Sequence, residues 1–119
     1  ELFSDLNKRK AYDKLKELMQ QEKFYTEPEL TLTALAEKLD IHPNYLSQVI
    51  NAKEGKNFYD YINTLRVEEF KRVLLIPENS KFTMMSLAVD CGFNSKSSFN
   101  KNFKKVTGQS PSEYLNKKG

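Results

Sequence analysis

The sequence predicts an all-α fold: two helix-turn-helix units joined by a long central helix, with an extra N-terminal helix in front. Three observations predict it. Only four Gly and four Pro punctuate 119 residues, so long stretches are free to be helical. Apolar residues recur at helical spacing through those stretches. A helix–turn–helix pattern is also written twice, at an offset of 52 to 53 residues.

Residues 1–25 read as one helix, with Leu2, Leu6, Tyr12, Leu15, Leu18 and Met19 at roughly helical spacing and Lys and Glu filling the remainder. Residues 26–30, which include Pro28, read as a linker. Thr31 is the expected N-cap of a helix over 32–39 whose inner face is Leu32, Leu35, Ala36 and Leu39. Asp40 takes the turn, where Asp tolerates the left-handed conformation better than most non-Gly residues. Ile41 packs inward. Pro43 suits a first helical position, which makes His42 the cap of a second helix over 43–52. That helix turns Tyr45, Leu46, Val49 and Ile50 inward and leaves Asn44, Ser47, Gln48 and Asn51 outside. Gly55 ends the unit.

Asn57 caps the central helix, with Asp60 at its third position. Phe58, Tyr61, Ile62, Leu65, Phe70, Val73 and Leu74 form its buried side, and Pro77 ends it. About eighteen residues at 1.5 Å rise give a rod of roughly 27 Å.

The pattern then returns. Thr31-Leu32-x-x-Leu35-Ala36-x-x-Leu39-x-Ile41 matches Thr83-Met84-x-x-Leu87-Ala88-x-x-Cys91-x-Phe93 at an offset of 52. One extra residue enters the second turn, after which Leu46, Ile50 and Gly55 match Phe99, Phe103 and Gly108 at an offset of 53. Ala36 and Ala88 are small where the two helices of such a unit cross. Asn94 and Ser95 are cap candidates for the second helix of the copy. Phe99 and Phe103 share its inner face, while Lys96, Ser97, Asn100, Lys101 and Lys104 lie mostly on the other. Ser110-Pro111-Ser112-Glu113 has the form of a capping box and opens a last helix. By this reading residues 1–29 are an N-terminal helix and linker to an upstream region. Residues 30–119 hold the first helix-turn-helix (31–56), the connector helix (57–76), the second helix-turn-helix (83–108) and a C-terminal helix (110–117).

Charge is distributed unevenly. The net formal charge is +3, but residues 80–119 hold seven Lys against two acids, whereas residues 31–79 hold six basic and seven acidic residues. The basic end suits a polyanion. An outer face of Lys, Asn and Ser suits base edges and phosphates, and two copies of it point to nucleic-acid binding. One His, one Cys, no Gly-rich phosphate loop and no metal-ligand cluster argue against an enzyme; no cofactor or metal is expected. Cys91 reads as a buried inert thiol, since no basic partner is placed to activate it. A single Cys excludes an internal disulfide and fits the cytoplasm. The longest aliphatic run, residues 73–76, is too short for a bilayer, so no membrane contact is expected. The chain begins at Glu1 rather than Met, and is read as a piece of a longer protein.

LTALAEKLDIHPNYLSQVI, FYDYINTLRVEEFKRVLL and GFNSKSSFNKNFKKVTGQSPSEYL together resemble the DNA-binding domain of the AraC/XylS family of bacterial transcription regulators. The resemblance runs from Leu30 to Leu115 and is most specific in GF, F-x-x-x-F-K-K, TG and P-x-x-Y. It implies sequence-specific binding of double-stranded DNA, with recognition helices in successive major grooves whose centres lie about one helical turn, ~34 Å, apart. It implies base contacts from Asn44, Ser47 and Gln48 in the first unit and from Lys96, Ser97, Asn100 and Lys101 in the second. Asn44 and Gln48 suit adenine, and Lys101 suits guanine. Asn51, Ser98, Lys104 and Lys105 are implied phosphate contacts, a role the Ser97 hydroxyl also suits. His42 stands where the family usually has Ser or Thr, implying a weaker cap; Asp40 replaces Gly or Asn, and Cys91 an aliphatic residue. The resemblance also implies a separate upstream sensor or dimerisation domain, with RNA polymerase as a further candidate partner. The rival reading is a helical protein-interaction or dimerisation module, using a face such as residues 67–75.

Overall fold

The structure, a computed structural model, describes residues 2–118 and the side chains of residues 5–116. Among the described residues it contains α-helices and short 3-10 turns but no strand, as the sequence predicts. The helices are α1 (Leu2–Glu22), α2 (Leu32–Leu39), α3 (Pro43–Glu54), α4 (Phe58–Leu74), α5 (Met84–Asp90), α6 (Lys96–Thr107) and α7 (Pro111–Lys118). The chain forms two compact units, residues 1–62 and 63–119, with the boundary inside α4.

In the first unit α1 packs on α2 and α3. Leu15 and Met19 are buried, as expected for its inner face, and Tyr12 and Leu18 are half-buried. Leu6 is not part of that face: it is 48% exposed. The side chain of Leu2 lies outside the described residues. α1 also stops earlier than the residue-25 end that its spacing suggests. Lys23 adopts the left-handed conformation (φ 49°), its N–H donates to Met19 O at 3.0 Å, and Phe24–Thr26 follow as a 3-10 turn. That reversal buries Tyr25, whose apolar area offsets the roughly 1–2 kcal/mol cost of a non-Gly residue in that conformation. Leu35, Ala36 and Leu39 of α2, Leu46, Val49 and Ile50 of α3, and Phe58, Tyr61 and Ile62 at the start of α4 complete the buried set.

The second unit is built on phenylalanines. Phe70 meets Phe99 and Phe103 edge-on, with ring centroids 4.7 and 5.7 Å apart, and Phe103 meets Tyr114 at 5.3 Å. Val67, Leu87, Ala88, Cys91 and Phe93 close the same core. Cys91 is a buried thiol outside any disulfide. Val67 and Phe70 are fully buried here, so the 67–75 face proposed for a protein partner is largely spent on the unit's own core. The sequence pattern also missed Arg66, which is only 9% exposed and donates from Nη1 to Asn63 Oδ1 at 3.0 Å.

α4 ends at Leu74 rather than at residue 76. Ile76 precedes Pro77 and is extended (φ −77°, ψ 119°), as the proline ring requires, so the helix must finish before it. A 3-10 turn, Pro77–Lys81, takes up the chain, and Asn79 Nδ2 donates to the released Val73 carbonyl at 2.8 Å.

Candidate nucleic-acid interface

Each unit positions one amphipathic helix by the same local devices. Thr31 Oγ1 accepts from Ala34 N at 3.1 Å to start α2, and Thr83 Oγ1 accepts from Ser86 N at 3.0 Å to start α5. Both helices close alike: Ile41 N donates back to Ala36 O and Phe93 N to Ala88 O, each at 3.1 Å. The residue that makes this turn has positive φ in both, Asp40 at 56° and Gly92 at 113°. Ala36 and Ala88 are fully buried at the crossing, which leaves no room for a larger side chain. The extra residue of the second turn is Asn94, and Ser95 rather than Asn94 is the cap, its Oγ accepting from Ser98 N at 3.0 Å. His42 does cap α3: its Nδ1 accepts from Asn44 N at 3.0 Å, which requires a neutral ring with the proton on Nε2. Gly55 (φ 66°) and Gly108 (φ 80°) end α3 and α6, donating to Asn51 O and Lys104 O.

The exposed stripes of the two helices correspond residue by residue. In α3 it is Asn44, Ser47, Gln48 and Asn51; in α6, at an offset of 53, it is Ser97, Asn100, Lys101 and Lys104. Spacings of three, four and seven keep each set on one face. Asn44, Gln48 and Asn51 are exposed and Ser47 is half-buried; Lys96, Ser97, Asn100, Lys101, Lys104 and Lys105 are exposed and Ser98 is half-buried. Behind these faces sit Leu46, Val49 and Ile50 in α3, and Phe99 and Phe103 in α6.

Some of these polar groups are partly committed. Asn51 donates one amide N–H to Ser47 O at 3.0 Å. Asn102, absent from the sequence-based set, is half-buried and donates to Ser98 O at 2.9 Å, steadying the first turns of α6. The cations differ in availability. On α4, Lys71 pairs with Glu68 at 3.3 Å and Arg72 forks onto Glu69 at 2.8 and 2.9 Å. Among the described residues no carboxylate pairs with Lys96, Lys101 or Lys104. Lys96, Lys101 and Lys104 of α6 thus present charge with no carboxylate beside it among the described residues, whereas Lys71 and Arg72 of α4 are paired within their own helix.

One long-range contact had no local signal. The Tyr12 phenol of α1 donates to the Glu54 carboxylate at the end of α3. That hydrogen bond, with burial and the Glu54 charge, pushes the Tyr12 phenol up to about 12. Tyr61 is pushed up as well, chiefly by burial and then by Glu54 and Tyr12. Among the described residues no group of three or more His, Cys, Asp or Glu is arranged to hold a metal, and no helix is long and apolar enough to cross a membrane.

Comparison with known proteins agrees with this architecture. The family described as a helix-turn-helix domain matches residues 35–117. The uncharacterized HTH-type transcriptional regulator YobQ of Bacillus subtilis is 41% identical over 87 residues, covering 73% of this chain and 35% of that protein. The uncharacterized HTH-type transcriptional regulator YijO of Escherichia coli is 34% identical over 85 residues, covering 71% of this chain and 29% of that protein. The chain thus spans about a third of the length of these relatives. Among solved structures, the C-terminal domain of AraT, a response regulator from Geobacillus stearothermophilus, superposes with a TM-score of 0.71 at 27% identity, covering 92% of this chain and 84% of that one. The C-terminal domain of the two-component response regulator YesN from Fusobacterium nucleatum gives 0.67 at 35% identity, covering 83% and 95%. With its duplicated caps, turns and polar stripes, the chain belongs to the helix-turn-helix domain family of the AraC type.

Proposed function

We propose that the chain is the double-stranded DNA-binding output module of a bacterial transcription regulator, with α3 and α6 entering successive major grooves. One observation carries the reading: a polar stripe at equivalent positions is presented on the second helix of both helix-turn-helix motifs. Packing within a unit does not require that repetition, whereas two reads of one duplex do. Asn44, Ser47 and Gln48, and Lys96, Ser97, Asn100 and Lys101, are the proposed base contacts; Asn51, Ser98, Lys104 and Lys105 are the proposed phosphate contacts. Lys96, Lys101 and Lys104, which pair with no carboxylate among the described residues, make the second unit the main source of phosphate affinity, while the first chiefly reads bases.

In this reading residues 1–29 lead from an upstream sensing or dimerising domain and residues 30–119 bind DNA, in the cytoplasm and without a catalytic role. Any contact with RNA polymerase has to avoid Val67 and Phe70, which are buried. A gel-shift against genomic fragments at low and high salt tests the proposal. A sequence-selective shift that weakens with salt is expected. Absence of any selective shift would discard it in favour of a helical protein-interaction or dimerisation module.

A further inference from the structure

The first unit carries a cationic patch outside its polar stripe. Between residues 8 and 16, α1 holds Lys8, Arg9, Lys10, Lys14 and Lys16 against one acid, Asp13. Residues 31–62 of the same unit, the helix-turn-helix and the start of α4, hold three Lys against four acids. The first unit's surplus of positive charge therefore lies in residues 8–16 of α1.

The fold puts part of that charge in a specific place. Asn7, Lys10 and Lys14 are spaced three and four apart, so they share one face of α1. With Ala11 they form one wall of an open depression of about 500 Å³. The facing wall is the α2–α3 turn, through Leu39, Asp40 and Ile41, together with Tyr45. Tyr45 is in the first turn of α3 and directly follows Asn44, a proposed base contact. The depression thus lies beside the end of α3 that is proposed to enter the groove. Lys10, Lys14 and Asn7 are all exposed there, and no carboxylate pairs with either lysine among the described residues.

We propose that Lys10 and Lys14, assisted by the Asn7 amide, hold a phosphodiester of the DNA strand bordering the major groove that α3 enters. The proposal rests on the DNA-binding reading above. Two ammonium groups and an amide N–H all donate, and phosphate oxygens only accept, so the donor set matches the ligand. Asp40 is the opposing group: its exposed carboxylate shares the depression and repels a phosphate. Lys16 lies off this face, with its ammonium over the Tyr12 ring at 5.2 Å from the centroid, and takes no part. The first unit then carries its own backbone anchor on α1, while base reading stays on α3.

The test is the salt dependence of binding by the whole chain to a labelled duplex taken from a shifted genomic fragment. Because both lysines hold one phosphate, Lys10→Ala and Lys14→Ala are each expected to lower the slope of log affinity against log salt, and the double variant to lower it by about one in total, which is roughly threefold of the affinity lost between 50 and 200 mM salt. Base preference should be unchanged in both, Lys16→Ala should keep the wild-type slope, and Asp40→Asn should bind more tightly. Urea midpoints of all variants separate binding from folding. Wild-type slopes in the Lys10 and Lys14 variants, with selective binding intact, would overturn the clamp and leave the DNA-binding reading standing. A wild-type chain that bound no duplex would remove both.

Discussion

At the level of single residues, the two stripes make different predictions because their chemistry differs. Gln48 is neutral and exposed, and its amide can pair bidentately with adenine. Gln48→Ala is expected to cost about 1–3 kcal/mol on the preferred sequence and to flatten discrimination at one base pair, with the salt slope unchanged. Lys101 and Lys104 are exposed cations that pair with no carboxylate among the described residues. Lys104→Ala should weaken binding evenly across sequences and lower the salt slope by about one; Lys101→Ala should do the same while also relaxing one position. Titrations of both classes on matched and mismatched duplexes at several salt concentrations check this. Equal salt slopes for all three variants would contradict the assignment. Most of these side chains were legible from sequence, since helical spacing and flanking caps decide which residues face outward. Asn102 was not, because its role is a hydrogen bond to the Ser98 carbonyl rather than a place on the stripe.

At the level of elements, caps and stops fix where α3 and α6 begin and end. Gly108 has φ 80° and nothing within 4 Å of where a Cβ would sit, so Gly108→Ala meets no steric obstacle. Its cost is the left-handed backbone alone, about 1 kcal/mol, measurable as a lower urea midpoint with α6 still helical. The Tyr12–Glu54 hydrogen bond ties α1 to the last turn of α3. Tyr12→Phe should destabilise the first unit by about 1 kcal/mol. The pH dependence has a definite sign. The folded-state value of Tyr12 is raised from 10.0 to about 12, so its contribution is complete below pH 10 and is lost as pH climbs through about 12. Tyr61 is shifted in the same direction. Unfolding followed from pH 8 upward should show wild type losing stability on the alkaline side, and Tyr12→Phe losing less of it. Element boundaries were the less legible part: α1 and α4 both stop short of their sequence ends, at Lys23 and before Ile76. The first is decided by burial of Tyr25 and the second by the proline that follows Ile76.

At the level of the whole molecule, the proposed function has both units read one duplex. If α3 and α6 occupy successive major grooves, their half-sites must lie about one helical turn, ~10 base pairs, apart. Inserting about five base pairs between the half-sites moves one of them to the opposite face of the duplex. Affinity should then fall to that of a single unit, and about ten inserted base pairs should restore the facing without restoring the distance. Binding insensitive to both insertions would show that one unit suffices.

By itself the sequence determined the helices, their caps and the duplication. These depend on neighbours within four or five residues, and Thr31, Thr83, His42, Ser95, Gly55 and Gly108 carry their instructions locally. Only the tertiary structure decided that Val67 and Arg66 are buried, that Tyr12 meets Glu54 across 42 residues, and that Lys10 and Lys14 flank the start of α3. Burial and proximity of that kind come from chain segments far apart in sequence, and helical periodicity contains no term for them.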